Sequence, residues 1–278
     1  MMKMSKSETK AERFAGISQG LPSGGPFVMV TVALRKERKV DYKNQIFNMD
    51  CIAGMTLLPD GCVDMVLTDL PYGMTDCRWD SIIPFDLLWK QLERVTKPDG
   101  AMVFTASQPF TTKLIGSNQK NFRYCWYWVK NMVTGFPFAK FQPLRCVEDI
   151  VIFYRKKPTY NPQGLVATEK PIHTKPRAVK DDCVYDQKTL NKEYETKYTN
   201  WPRQILTFSC QREGLHPTQK PVALFEYLVR TYTNPKQLVL DCCIGSGTTA
   251  IACRNSDRDF VGFEIDKGTG LVSVFMSF

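Results

Sequence analysis

The chain has no long apolar run: the longest near its start, residues 27–34, is far below the roughly 20 residues a membrane-spanning helix requires. No basic stretch followed by an apolar export core precedes it, so the expected setting is the cytoplasm. Histidine is scarce, with only His173 and His216. The ten cysteines include no CxxC pair, and the one close pair, Cys242 and Cys243, sits in an apolar run. That pattern excludes a zinc ribbon and a disulfide framework, and fits a reducing compartment. His173, Cys183, Cys210 and His216 share no tetrahedral ligand spacing, so no metal is expected. No internal repeat is found, which removes the solenoid architectures. Acidic residues are in deficit, 28 against 37 Lys and Arg, for a net charge of +9. Such a surplus favours a polyanionic partner such as nucleic acid, although a basic hydrated surface would show the same total.

What is present is ordinary for a globular core: 43% hydrophobic and 23% charged residues in a chain of 278. Residues 1–40 are rich in Lys, Ser and Gly without periodicity and read as a flexible leader, within which Met29 is an alternative start. From Tyr42 onwards short apolar runs alternate with helical patterns. Strands are predicted at 63–68, 101–105, 122–129, 149–154, 238–241 and 260–263. Helices are predicted at 84–95, 222–231 and 248–254, and 97–100 (Lys-Pro-Asp-Gly) reads as a turn. The alternation predicts an α/β fold: a Rossmann-like, mixed but mostly parallel sheet with helices on both faces. Residues 158–212 are polar and aperiodic and read as a small insertion in that domain.

Two motifs carry chemistry. In the first, strand 238–241 runs through Asp241 into Gly245-Ser246-Gly247 and a helix beginning at Thr248. Glycines there let a ligand approach the backbone, and the helix start offers free N–H groups. Glu264 closes the next strand, where a carboxylate can accept from a ribose hydroxyl pair. A third glycine is missing from the helix start, which disfavours NAD. In the second motif, strand 63–68 runs into Asp69-Leu70-Pro71-Tyr72. An exocyclic amino group is a poor nucleophile because its lone pair is delocalised. The Asp69 carboxylate and the Leu70 carbonyl can each accept one amino hydrogen, localising that pair and stabilising the positive charge that develops on nitrogen. Tyr72 offers a stacking face for a flipped base. An Asp-x-Pro turn at a strand end is also a common structural device.

Taken together, and in this order, the motifs resemble the β-class S-adenosylmethionine-dependent DNA amino-methyltransferases over residues 42–267. Three further stretches carry the resemblance: Asn48-Met49-Asp50-Cys51, the hexapeptide His216-Pro217-Thr218-Gln219-Lys220-Pro221, and the pair 122–130 and 148–157. The resemblance implies S-adenosylmethionine as cofactor and duplex DNA as substrate. It places Asp50 and Cys51 at the cofactor's adenine edge, Thr218 and Lys220 near its carboxylate, and Asp241, Gly245, Gly247, Thr248 and Glu264 around the rest. Asp69, Leu70, Pro71 and Tyr72 become the catalytic set, and the leading Asp matches the adenine-N6 type. The catalytic part is then 41–157, the target-recognition insertion 158–212 and the cofactor-binding part 213–267. A restriction endonuclease partner or a homodimer is compatible with this reading.

Phe136, Phe138, Lys140 and Arg145 form an apolar and basic set on one loop suited to a distorted duplex, and Arg177 and Arg203 fit phosphate contacts. The departures from the family pattern are Leu70 in place of Pro, Cys243 in place of Phe, and an atypical terminus at 268–278 without a helical stripe. These also fit a catalytically decayed DNA-binding relative. A cytosine-N4 enzyme, or a methyltransferase acting on RNA or on a protein glutamine, shares the tetrapeptide chemistry.

Overall fold

The computed structural model describes residues 41–74, 80–175, 193–210 and 219–266. The terminal stretches 1–40 and 268–278, together with Cys183, Arg177, His216 and Thr218, lie outside the described residues. The strands are β1 (Gln45–Asn48), β2 (Val63–Asp69), β3 (Thr96–Ala106), β4 (Phe122–Thr134), β5 (Arg145–Phe153), β6 (Val166–Thr174), β7 (Tyr194–Thr199), β8 (Ile205–Thr207), β9 (Leu238–Asp241) and β10 (Asp259–Glu264). The helices are α1 (Cys51–Met55), α2 (Phe85–Val95), α3 (Phe110–Ser117), α4 (Val222–Tyr232) and α5 (Thr248–Asn255).

Eight of these strands form one sheet in the order β1-β10-β9-β2-β3-β5-β4-β8. All adjacent pairs are parallel except β3 with β5 and β5 with β4. The central strands are apolar without alternation because both faces are covered. On one face Val66, Phe104 and Leu240 pack with Met55, Leu88, Leu92 and Leu114 from α1, α2 and α3. On the other, Met65, Leu67, Val103 and Val239 pack with Leu228 and Val229 of α4 and Ala250 of α5. A Rossmann-like, mostly parallel sheet with helices on both faces is what the sequence predicts.

Three details differ from expectation. The turn at 97–100 is absorbed into β3 as a bulge: Val63 pairs with Thr96, and the register then jumps to Met65 with Ala101. Gly100 permits it, since a Cβ there would stand 2.8 Å from the Asp64 carbonyl. The polar insertion is not without regular structure, because β6 and β7 pair antiparallel in a separate two-stranded sheet. Its last strand, β8, leaves the insertion and joins the edge of the main sheet beside β4.

The connections fix where a ligand can sit. From β2 the chain passes through α2 to β3 on one side; from β9 it passes through α5 to β10 on the other. β2 and β9 are neighbours, so their carboxyl ends frame the crevice at which a doubly wound sheet binds ligands.

Candidate active site at the strand switch point

Asp69 ends β2 on this crevice, level with Thr105 of β3. Its Oδ1 accepts from the Thr105 hydroxyl at 2.5 Å and the Tyr72 hydroxyl at 2.8 Å. Its Oδ2 accepts from Lys220 Nζ at 2.7 Å. Leu70 is 4% exposed and belongs to the core, so this loop is anchored by side-chain packing where a proline ring would anchor it by restricting φ. Gly73 takes φ +66° and its N–H donates to Asp80 at 2.8 Å, turning the chain back. The Tyr72 ring stacks on Phe110 with centroids 4.9 Å apart, and the Lys220 ammonium lies 5.9 Å from its ring centre. Burial, with the charges of Asp69 and Glu148, raises the Tyr72 hydroxyl well above its ordinary value, so it stays a phenol.

A buried acid completes this centre, and sequence reasoning assigned it no role. Glu148 of β5 is 5% exposed and accepts from Lys130 at 2.6 Å and from Lys220 at 3.0 Å. Burial would raise its carboxyl, but the two lysines outweigh that and hold it below the usual carboxylate range. Burial likewise works against the Lys220 ammonium, and Asp69 and Glu148 more than offset it, so Lys220 is held charged. Lys220, expected near the cofactor's carboxylate, has its ammonium between two carboxylates of the protein, Asp69 and Glu148. The signal for Glu148 was an acid interrupting the apolar strand RCVEDIVIF.

Beside it, the glycine loop is organised from below by Asp241, which is 3% exposed. Asp241 accepts from Cys243 N–H at 3.0 Å and from the Thr249 hydroxyl at 2.5 Å, so it shapes the loop instead of reaching outward. Gly245 and Gly247 take φ +49° and +80°, conformations that side chains disfavour. Glu264 Oε2 accepts from Gly245 N–H at 2.9 Å, tying the end of β10 to the loop. Asp50 caps α1 by accepting from Ala53 N–H at 2.9 Å and is exposed. The Cys51 side chain points the other way, into the core against which Cys243 packs, and both thiols are free. The Thr248 hydroxyl approaches the Lys220 carbonyl at 3.4 Å, linking the two halves of the site.

These groups fit S-adenosylmethionine. A Cβ on Gly245 would meet nothing closer than 3.9 Å, so the space over the loop is open to a ligand that touches backbone. Carboxylates at Asp50 and Glu264 suit an adenine amino group and ribose hydroxyls, and each retains acceptor capacity beyond its backbone bonds.

Burial pushes the Asp241 carboxyl up to about 6 from 3.8, despite the bonds from Thr249 and Cys243. A raised acid stabilises the fold most when protonated, and this contribution is lost as pH rises through the folded-state value. Unfolding free energies of wild type and Asp241→Asn should therefore diverge in favour of wild type by about 1.5 kcal/mol between pH 7.5 and pH 5. Denaturant titrations at the two pH values check this; parallel pH dependences would contradict it.

The nucleic-acid residues separate into two places. Phe136, Phe138 and Lys140 are exposed on the loop between β4 and β5, with Phe136 and Phe138 on a 3-10 turn after Gly135, and Arg145, also exposed, opens β5. β4 runs parallel to β2, so this loop stands beyond the carboxyl edge where Asp69 lies. Arg203 instead precedes β8 at the sheet's far edge, where its neighbour Gln204 bonds Cys125 and Tyr127 of β4. Among the described residues no group of three or more His, Cys, Asp or Glu is placed to hold a metal ion. No helix among them is long and apolar enough to cross a membrane.

Comparison with known proteins gives the family. The N6_N4_Mtase family, described as DNA methylase, matches residues 63–270. The type II methyltransferase M1.MboII of Moraxella bovis is 25% identical over 249 residues, covering 80% of this chain and 92% of its own. The crystal structure of an M1.HpyAVI–SAM complex superposes with a TM-score of 0.55 and 22% identity, over 83% of this chain and 98% of that one. The cytosine-N4-specific PvuII DNA methyltransferase superposes with a TM-score of 0.61 and 17% identity, over 84% and 86%. The chain belongs to the N6/N4 DNA methylase family of S-adenosylmethionine-dependent methyltransferases.

Proposed function

We propose that this protein transfers a methyl group to the N6 amino group of adenine in a specific duplex DNA sequence, after rotating the base out of the stack. The observation that carries the reading is Asp69, a carboxylate at the end of β2, beside the glycine loop at the strand switch point. When bound, S-adenosylmethionine supplies the electrophilic methyl. Asp69 and the Leu70 carbonyl hold the amino hydrogens, Pro71 stiffens the loop, and the base stacks on the Tyr72 face opposite Phe110. Asp50, Cys51 through its backbone, Gly245, Gly247, Thr248 and Glu264 would hold the cofactor, with Thr218 beside them. The leading Asp favours adenine over cytosine.

DNA would run over the carboxyl edge, with Phe136 and Phe138 against bases and Lys140, Arg145 and Arg177 at phosphates, while Arg203, before β8, would meet a phosphate away from that edge. The insertion 158–212 and the loop at 131–145 would set the recognition sequence. The decisive test incubates the protein with S-adenosylmethionine and unmethylated duplex DNA and identifies modified nucleosides by mass spectrometry. N6-methyladenine is the expected product. N4-methylcytosine would overturn the base assignment while keeping the chemistry, and no modified base from folded protein would favour the decayed DNA-binding relative.

A further inference from the structure

An amino group entering the site needs an oxygen of Asp69, and both are occupied: Oδ1 by Thr105 and Tyr72, Oδ2 by Lys220. Thr105 is fixed within β3, and Tyr72 is fixed by its stack on Phe110. Glu148 Oε1 offers a second acceptor to both Lys220 and Tyr72, 3.0 Å from Lys220 Nζ and 3.3 Å from the Tyr72 hydroxyl, but only the lysine carries a charge away with it when it moves. Charge gives a reason for it to leave. The substrate nitrogen turns positive as the methyl arrives, and it gains from Asp69 only while that carboxylate is not neutralised by another cation. An ammonium 2.7 Å from the same oxygen opposes the step.

Resting on the methyl-transfer reading above, we infer that Glu148 is a positioning residue for catalysis: it takes the Lys220 ammonium from Asp69 when the target amino group arrives. The two carboxylates and two ammoniums of Asp69, Glu148, Lys130 and Lys220 sum to zero charge, which is what permits such a group to be this deeply buried. Moving the flexible tip of a lysine between two oxygens it already touches requires no backbone change. Lys130 holds the other oxygen of Glu148 at 2.6 Å, with its ammonium 5.2 Å from the Trp128 ring centre, and so keeps the acceptor in place.

The test measures single-turnover methylation with DNA and S-adenosylmethionine saturating, alongside cofactor affinity and thermal unfolding. Glu148→Gln leaves Lys220 with Asp69 as its one charged partner, so the transfer rate should fall at least tenfold with cofactor affinity little changed. Adding Lys220→Met to that variant removes the trapped cation and should raise the rate again. A purely structural role predicts the opposite, a second loss on top of the first. Glu148→Asp, which keeps the charge, should recover most of the wild-type rate. If Glu148→Gln does not fold, the comparison runs between Glu148→Ser, which also removes the acceptor charge but leaves room for water beside the two lysines, and Glu148→Ser/Lys220→Met, with the double variant expected to be the faster. A Glu148→Gln enzyme at the wild-type rate, or a double variant no faster than its single parent, overturns this inference alone. Wild-type protein that transfers no methyl group overturns the methyl-transfer reading and this inference together.

Discussion

Asp69→Ala should reduce methyl transfer by at least about a thousandfold while leaving cofactor affinity within a few-fold of wild type. Two effects act in the same direction. The substitution removes the acceptor that localises the amine lone pair, and it leaves the Lys220 ammonium in the site with one carboxylate fewer to neutralise it. A developing cation then meets positive charge where it needs negative charge. The fold should survive, because Glu148 still holds Lys220 and the Asp69 side chain is 30% exposed, so no buried ammonium is left alone. Cofactor affinity should survive because the glycine loop is held by Glu264 and Asp241, and Asp50 by α1, without Asp69. Asp69→Asn tests the same point with the shape kept: the charge is lost, and with the amide oxygen still accepting from Lys220 the NH2 group would stand where Tyr72 and Thr105 now donate. It should be slowed about a hundredfold or more. Calorimetric cofactor titration and a single-turnover assay check both. Parallel loss of binding and transfer would place Asp69 in the cofactor site instead, and an undiminished rate would remove it from catalysis.

The sequence is most legible where burial leaves a local trace. Strand β9 lies where its apolar run predicts it, at 238–241, and β2 extends the predicted run by one residue, Asp69. Both are buried on two faces, so an unbroken apolar run with a polar end is their signature. The strands β6 and β7 are the converse: their residues are mostly exposed, neither face meets a core, and no alternation is available to read. The candidate site shows the limit most clearly. Asp69 and the glycine loop announce themselves because strand, turn and helix lie consecutively in the chain. The Lys220 pairing joins residues 151 positions apart, and Glu148 reaches Asp69 only across the antiparallel return of β5. Local pattern carries no information about such a meeting, so in the sequence Lys220 has only the resemblance to speak for it and nothing ties Glu148 to Asp69. Leu70 is a similar case, since its meaning depends on a core pocket that receives it.

Gly54→Ala should destabilise the protein and weaken cofactor binding together, although alanine is the better helix former. Gly54 lies in α1, where the substitution gains about 1 kcal/mol of helix propensity. Against that, the new Cβ would stand 2.3 Å from Phe263 Cε1 and 2.4 Å from Cδ1, far inside van der Waals contact. Phe263 has little room to yield: it is 1% exposed in β10 and stacks with Phe47 of β1 at 5.9 Å. Overpacking of this kind costs about 1–3 kcal/mol or more, so the net effect is a loss, expected as a fall of about 5 °C in the unfolding midpoint. The short helix is the softer partner and should be the element that shifts. Its start carries Asp50 and Cys51, and its seating on β10 sets their distance from Glu264 and the glycine loop. Cofactor affinity should therefore drop about tenfold, while the β2 end that carries Asp69 is undisturbed. Adding Phe263→Leu makes room for the methyl group and should restore part of both losses, which a general loss of stability would not allow. Thermal unfolding and cofactor titration of the single and double variants check this. A Gly54→Ala protein that melts at or above the wild-type midpoint would mean that α1 is not seated on β10 through this contact.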